Sequence, residues 1–147
     1  MQNNDAIDTL NHLIAIAKDG VNGMRSAAEN AKDPSLRSTL ERLGRERDRI
    51  ASDLQSTVQS LGGSPDDSGT MLGTTHRWFM NAKDAITGFD DRRLLEECER
   101  GEDYAVKEFR EALGQELPGG IAQRVQSWFT QVQSSHDEIK HLRDAVA

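Results

Sequence analysis

Apolar residues return along this chain at alternating steps of three and four, the spacing that lines one face of a helix. The first such stripe is Ile7, Leu10, Ile14, Ala17, Val21, Met24 and Ala28, and it predicts a helix over about 4–32, opened by Asn4 as a cap. The second is Leu36, Leu40, Leu43, Ile50, Leu54 and Leu61, broken at Arg47; it predicts a helix over about 34–61. Asp33-Pro34 starts that helix, because aspartate caps free amides and proline suits the first helical position.

The third stripe is Leu95, Cys98, Glu102, Ala105, Phe109 and Ala112, on a helix over about 91–116. The fourth is Ile121, Val125, Trp128, Val132, Ile139, Leu142 and Val146, on a helix over about 120–146, broken at Ser135 and His136. Leu117-Pro118-Gly119-Gly120 separates these two. Between the second and third helices, about 62–90, a polar turn-rich stretch leads to a short amphipathic helix with Trp78, Phe79, Ala82 and Ile86, ending at Gly88.

The connections set the topology. Tight turns make helices one and two antiparallel neighbours, and helices three and four likewise. The long connection between the pairs has the reach to run back along the bundle, so that the second and third helices run parallel. The expected fold is a single all-α domain over 1–147, a four-helix bundle of two antiparallel hairpins joined by a long crossover.

Composition supports this picture. The chain is 29% charged, 35% hydrophobic and only 5% aromatic, which suits long solvated helix faces. A net charge of −7, with acid interleaved in every basic run, argues against nucleic acid as the main partner. No apolar run approaches the roughly 20 residues of a membrane span. The polar N-terminus shows no secretory pattern, and the expected location is the cytoplasm. The single Cys98 excludes an intramolecular disulfide and a multi-cysteine zinc site.

Glu102 is the anomaly, a carboxylate on an apolar stripe, where it needs a partner. Aligning the hairpins on Met24-Arg25-Ser26-Ala27-Ala28 and Phe109-Arg110-Glu111-Ala112-Leu113 sets Ala17 opposite Glu102. Aligning Ile50 with Ile139 sets Arg47 opposite His136. Counted from their turns, Arg47, Glu102 and His136 reach similar levels, which predicts one buried polar layer with an Arg47–Glu102 ion pair and His136 nearby.

Other positions carry less. Gly20 and Gly23 each weaken the first helix by about 1 kcal/mol relative to alanine; they are consistent equally with close approach of a neighbouring helix and with simple tolerance inside a long packed one. Asp19 lies opposite Ala17 and Val21 and is expected in solvent, as are His12, His76 and the Glu138-x-x-His141 pair. Trp128 and Cys98 are expected in the core.

Glu102-x-x-Ala105-x-x-x-Phe109 is similar to the Glu-x-x-Ala-x-x-x-Tyr pattern of the ferritin-like superfamily. Asp19-Gly20, Glu97 to Asp103, His136-Asp137 and Leu142-Arg143-Asp144 resemble a small bacterial family of single-domain ferritin-like bundles of unknown function. The resemblance implies ligands of the di-iron type, a glutamate and a Glu-x-x-His in each half. At those positions this chain has Ala17 with Gly44-x-x-Arg47, and Glu102 with Gln133-x-x-His136. Arginine is permanently charged and cannot ligate metal.

The expected function is therefore a non-catalytic structural or interaction protein with a degenerate di-metal site, stress-related by its resemblance. It is expected to carry no cofactor, and to form a homo-oligomer or meet a protein partner. The alternative is a metal-binding protein or oxidoreductase, in which Glu46 turns inward and joins Glu102 and His136 around iron or zinc.

Overall fold

The computed structural model describes residues 3–65 and 88–146. Among them are four helices, α1 (Asn3–Asn30), α2 (Pro34–Ser60), α3 (Asp91–Leu113) and α4 (Gly119–Ala145), which form an all-α four-helix bundle. The expected short helix with Trp78, Phe79, Ala82 and Ile86, and His76 beside it, lie outside the described residues.

Local chemistry explains the helix ends. Asp33 caps α2 by accepting from the Ser35 amide at 2.9 Å, with Pro34 following it. Asp90 caps α3 by accepting from the Arg93 amide at 2.8 Å. Asn4 is not a cap, because α1 already includes Asn3. α3 stops at Leu113, short of 116: Gly114 bonds back to the Glu111 carbonyl and Gln115 to that of Ala112, a tightened last turn. Gly62, at φ +85°, takes the chain out of α2 through the left-handed region that favours glycine.

Contacts between helices give their directions. The start of α1 meets the end of α3 through Thr9–Gln115 and His12–Glu108. The α1–α2 turn meets the start of α3, where Asp91 accepts from the Lys32 and Asp33 amides. α3 is thus antiparallel to α1 and parallel to α2. The chain leaves α2 at one end, where Asn11 donates to the Ser64 carbonyl, and enters α3 at the other. α1 packs against α2 and α3, and α4 against α3 and α2, so α2 and α3 face each other across the diagonal.

The core falls into two apolar clusters. One holds Ile16, Ala17, Ile50, Ala105, Phe109, Trp128 and Val132 among others; the second holds Met24, Leu43, Leu94, Cys98 and Ile139 among others. Each cluster residue of Leu, Ile or Phe size contributes about 1.5–3 kcal/mol by burial. The boundary falls at one level on every helix: at Gly20 on α1, between Leu43 and Ile50 on α2, between Cys98 and Ala105 on α3, and between Val132 and Ile139 on α4.

Candidate functional site: a buried ion pair at the centre of the bundle

At that boundary Arg47 reaches across the diagonal from α2 to Glu102 on α3. Its Nη2 donates to both carboxylate oxygens, Oε1 and Oε2, each at 2.8 Å. The two side chains are only 2% and 0% exposed, so the pair is fully within the core. Such a charge-assisted contact is strong where water is excluded, but both ions gave up hydration to form it. Arg47 Nη1 is buried without a hydrogen-bond partner among the described residues.

Gly20 makes this arrangement possible. A Cβ there would lie 2.5 Å from Arg47 Nη1, closer than a Cβ approaches another side chain, and 3.2 Å from its Cγ, a tight contact. The glycine is therefore a cradle for the guanidinium. Cys98 lies one helical turn before Glu102, fully buried. Burial, together with the negative charges of Glu102 and Glu97, pushes its thiol well above the ordinary range, so it stays protonated and unreactive.

His136 lies outside this layer. The α4 residue that faces inward between Val132 and Ile139 is Ser135, which is buried, while His136 is one position, about 100°, further round. His136 instead stands at the edge of the α3–α4 hairpin, its Nε2 2.6 Å from Asp103 Oδ1 and its Nδ1 3.1 Å from Asp137 Oδ1. Partial burial would lower the imidazole pKa; the hydrogen bonds to Asp137 and Asp103 outweigh it and hold the pKa above the ordinary value. The same bond, with one from Gln133, lowers that of Asp137.

Glu46 is also elsewhere. It is exposed and paired with Arg42 at 2.8 Å, one turn earlier on α2. Glu46 lies one position, about 100°, round α2 from Arg47, and the core position belongs to Arg47. The structure therefore does not bring Glu46, Glu102 and His136 together. Glu138, expected on an exposed face, is half-buried and meets Arg42; His141 is exposed.

Two further residues differ from expectation. Asp19 is buried, at 9% exposure, because α1 packs against both α2 and α3 and leaves little of its surface in solvent. His12 is half-buried, with Nε2 2.6 Å from Glu108 Oε1. The sequence signal for its partner was weak, since Glu108 lies on a different helix.

The residues present do not fit a di-iron centre. Of the ligand positions implied by the resemblance, Ala17, Gly44 and Arg47 carry no metal donor, and His136 is outside the layer. Glu102 has both carboxylate oxygens engaged by a cation that cannot be displaced by deprotonation.

The family profile described as Domain of unknown function (DUF2383) matches residues 5–115. The chain belongs to this DUF2383 family. The match takes in almost all of α1, all of α2 and α3, and both partners of the buried pair. A comparison with curated proteins gives no match. Among the described residues no helix is long and apolar enough to cross a membrane.

Proposed function

We propose that this DUF2383 protein is a non-catalytic structural or interaction protein on a ferritin-like bundle whose inner ligand layer has been replaced by a protein ion pair. The observation that carries the reading is the contact of Arg47 Nη2 with both oxygens of Glu102 in the fully buried centre. A guanidinium there neutralises the carboxylate as a metal would, without leaving an open coordination position for chemistry. The helix directions, with α2 parallel to α3, support the ferritin-like assignment. The stress-related setting implied by the sequence resemblance belongs to the same reading.

The reading includes self-association. A groove of about 500 Å³ runs along the outer face between α1 and α2, with Val21, Ala28 and Leu40 in its lining. Its charged residues are Arg25, Arg37 and Arg45 with Glu29, Glu41 and Asp48, equal in number and opposite in sign, which suits a second copy related by a two-fold axis. Sedimentation should show a dimer that Arg37→Glu with Arg45→Glu weakens; an unaltered monomer would remove this part of the reading.

The core reading is tested with ferrous iron. Purified protein should neither bind iron in the bundle centre nor oxidise it. Stoichiometric iron binding that Glu102→Gln abolishes would overturn the proposal and favour the metalloprotein alternative.

A further inference from the structure

Outside the central pair, an imidazole and two carboxylates converge on the edge of the α3–α4 hairpin. Glu99 and Asp103 lie one turn apart on α3 and His136 faces them from α4, with one ligand atom of each within 4.8 Å of the others. From this geometry we propose that Glu99, Asp103 and His136 form a binding site for a divalent transition-metal ion of the zinc type.

The donor set decides the class of ion. Positions i and i+4 put both carboxylates on one ridge of α3, and the imidazole comes from a separate helix. Two carboxylates balance a dication, while the nitrogen donor favours zinc and its neighbours over magnesium or calcium, which prefer oxygen alone. Side-chain exposures of 14% for Glu99 and 16% for His136 shield two ligands from water. Asp103, at 63%, keeps the site open to solvent and leaves a position for a water ligand.

The surroundings also suit a ligand. Asp137 Oδ1 lies 3.1 Å from His136 Nδ1, the outer carboxylate that orients a ligating histidine and directs Nε2 outward to the metal. Nε2 lies 2.6 Å from Asp103 Oδ1, and a metal would take the place of the proton they share.

Arg143 opposes binding. Its Nη1 donates to Glu99 Oε1, while its Nη2 holds Asp144 at 2.7 Å. Glu99 can offer its second oxygen, and Arg143 keeps Asp144 if it swings away. Arg143 is thus the residue that sets affinity. The site is distinct from the Arg47–Glu102 layer, and its failure would leave the reading of that layer untouched.

The test is calorimetric titration of metal-stripped protein with zinc chloride, in excess magnesium chloride. One zinc ion per chain is expected. His136→Ala should weaken binding at least tenfold, and Asp137→Asn by about 10–100-fold. Arg143→Gln should tighten it, and His12→Ala should leave it unchanged. Circular dichroism checks that each variant folds; Asp103→Asn, at the most exposed ligand, serves if His136→Ala does not. No zinc uptake at millimolar concentration, or uptake that His136→Ala and Asp103→Asn leave intact, would overturn the proposal.

Discussion

The guanidinium of Arg47 occupies the space that any side chain at Gly20 would fill: a Cβ there would come within 2.5 Å of Nη1. This reverses the ordinary effect of a glycine in a helix. Replacing an unconstrained helical glycine by alanine stabilises by about 1 kcal/mol. Here Gly20→Ala should destabilise by about 1–3 kcal/mol, the usual cost of overpacking. Gly44, where a Cβ would meet only Met24 Cβ at 3.4 Å, is the control position. Urea unfolding of Gly20→Ala and Gly44→Ala separates steric cost from helix propensity. A gain in stability at Gly20 would refute the cradle.

The pair should also show the asymmetry of buried charges. Removing Arg47 strands the Glu102 carboxylate in an apolar layer, so Arg47→Ala should cost about 3–5 kcal/mol. Arg47→Met combined with Glu102→Leu removes both charges and fills similar volume, so it should be close to neutral or stabilising. In that double variant Gly20→Ala should regain its helix-propensity benefit, because the guanidinium is gone. Denaturant midpoints with unchanged slopes would measure all three. Equal losses in the single and double variants would show that packing, and not charge, dominates the site.

The bundle was legible because apolar periodicity and connection lengths are local properties that agree along the chain, and Asp33 caps α2 as expected although Asn4 does not cap α1. Glu102 and Arg47 stood out for the same reason, as breaks in otherwise apolar stripes. Side-chain direction at a broken stripe is less legible. Ser135 and His136 interrupt α4 together, and only the packing of α4 on α3 decides that the serine turns inward. Asp19 is buried by helices that its own periodicity does not report. The Glu99–Asp103–His136 group was missed because its members belong to polar faces, where sequence spacing shows the i, i+4 carboxylates but not which histidine stands opposite.

Asp91 joins the two hairpins and should be worth more than an ordinary surface acid. Its Oδ1 accepts from the Lys32 amide at 2.8 Å and its Oδ2 from the Asp33 amide at 3.0 Å. These amides lie in the turn between α1 and α2, so one carboxylate locks that turn to the start of α3. Hydrogen bonds to charged groups contribute about 1.5–3 kcal/mol, but this contact is exposed and water replaces part of the loss. Asp91→Ala should therefore cost about 1–2 kcal/mol, and Asp91→Asn, which keeps one acceptor oxygen, about half as much. Amide hydrogen exchange should accelerate at Lys32 and Asp33 in both variants, and more in Asp91→Ala. Unchanged exchange at these amides would show that the two hairpins dock without this tie.

Cys98 provides a reporter of the centre of the bundle. It is fully buried, one turn from Glu102, and burial and neighbouring carboxylates keep it in the thiol form. A thiol reagent can reach it only when the surrounding core opens. If that opening costs about 5 kcal/mol, in the range of whole-domain stability, labelling should be more than a thousandfold slower than in denaturant. Arg47→Ala should accelerate labelling in proportion to its loss of stability, because the layer beside the thiol opens with the fold. Lys107→Ala, at an exposed position of α3, should leave the rate within a few-fold. Native labelling as fast as unfolded labelling would show that the layer around Glu102 opens independently of global unfolding, and would place the weakest point of the bundle at its centre.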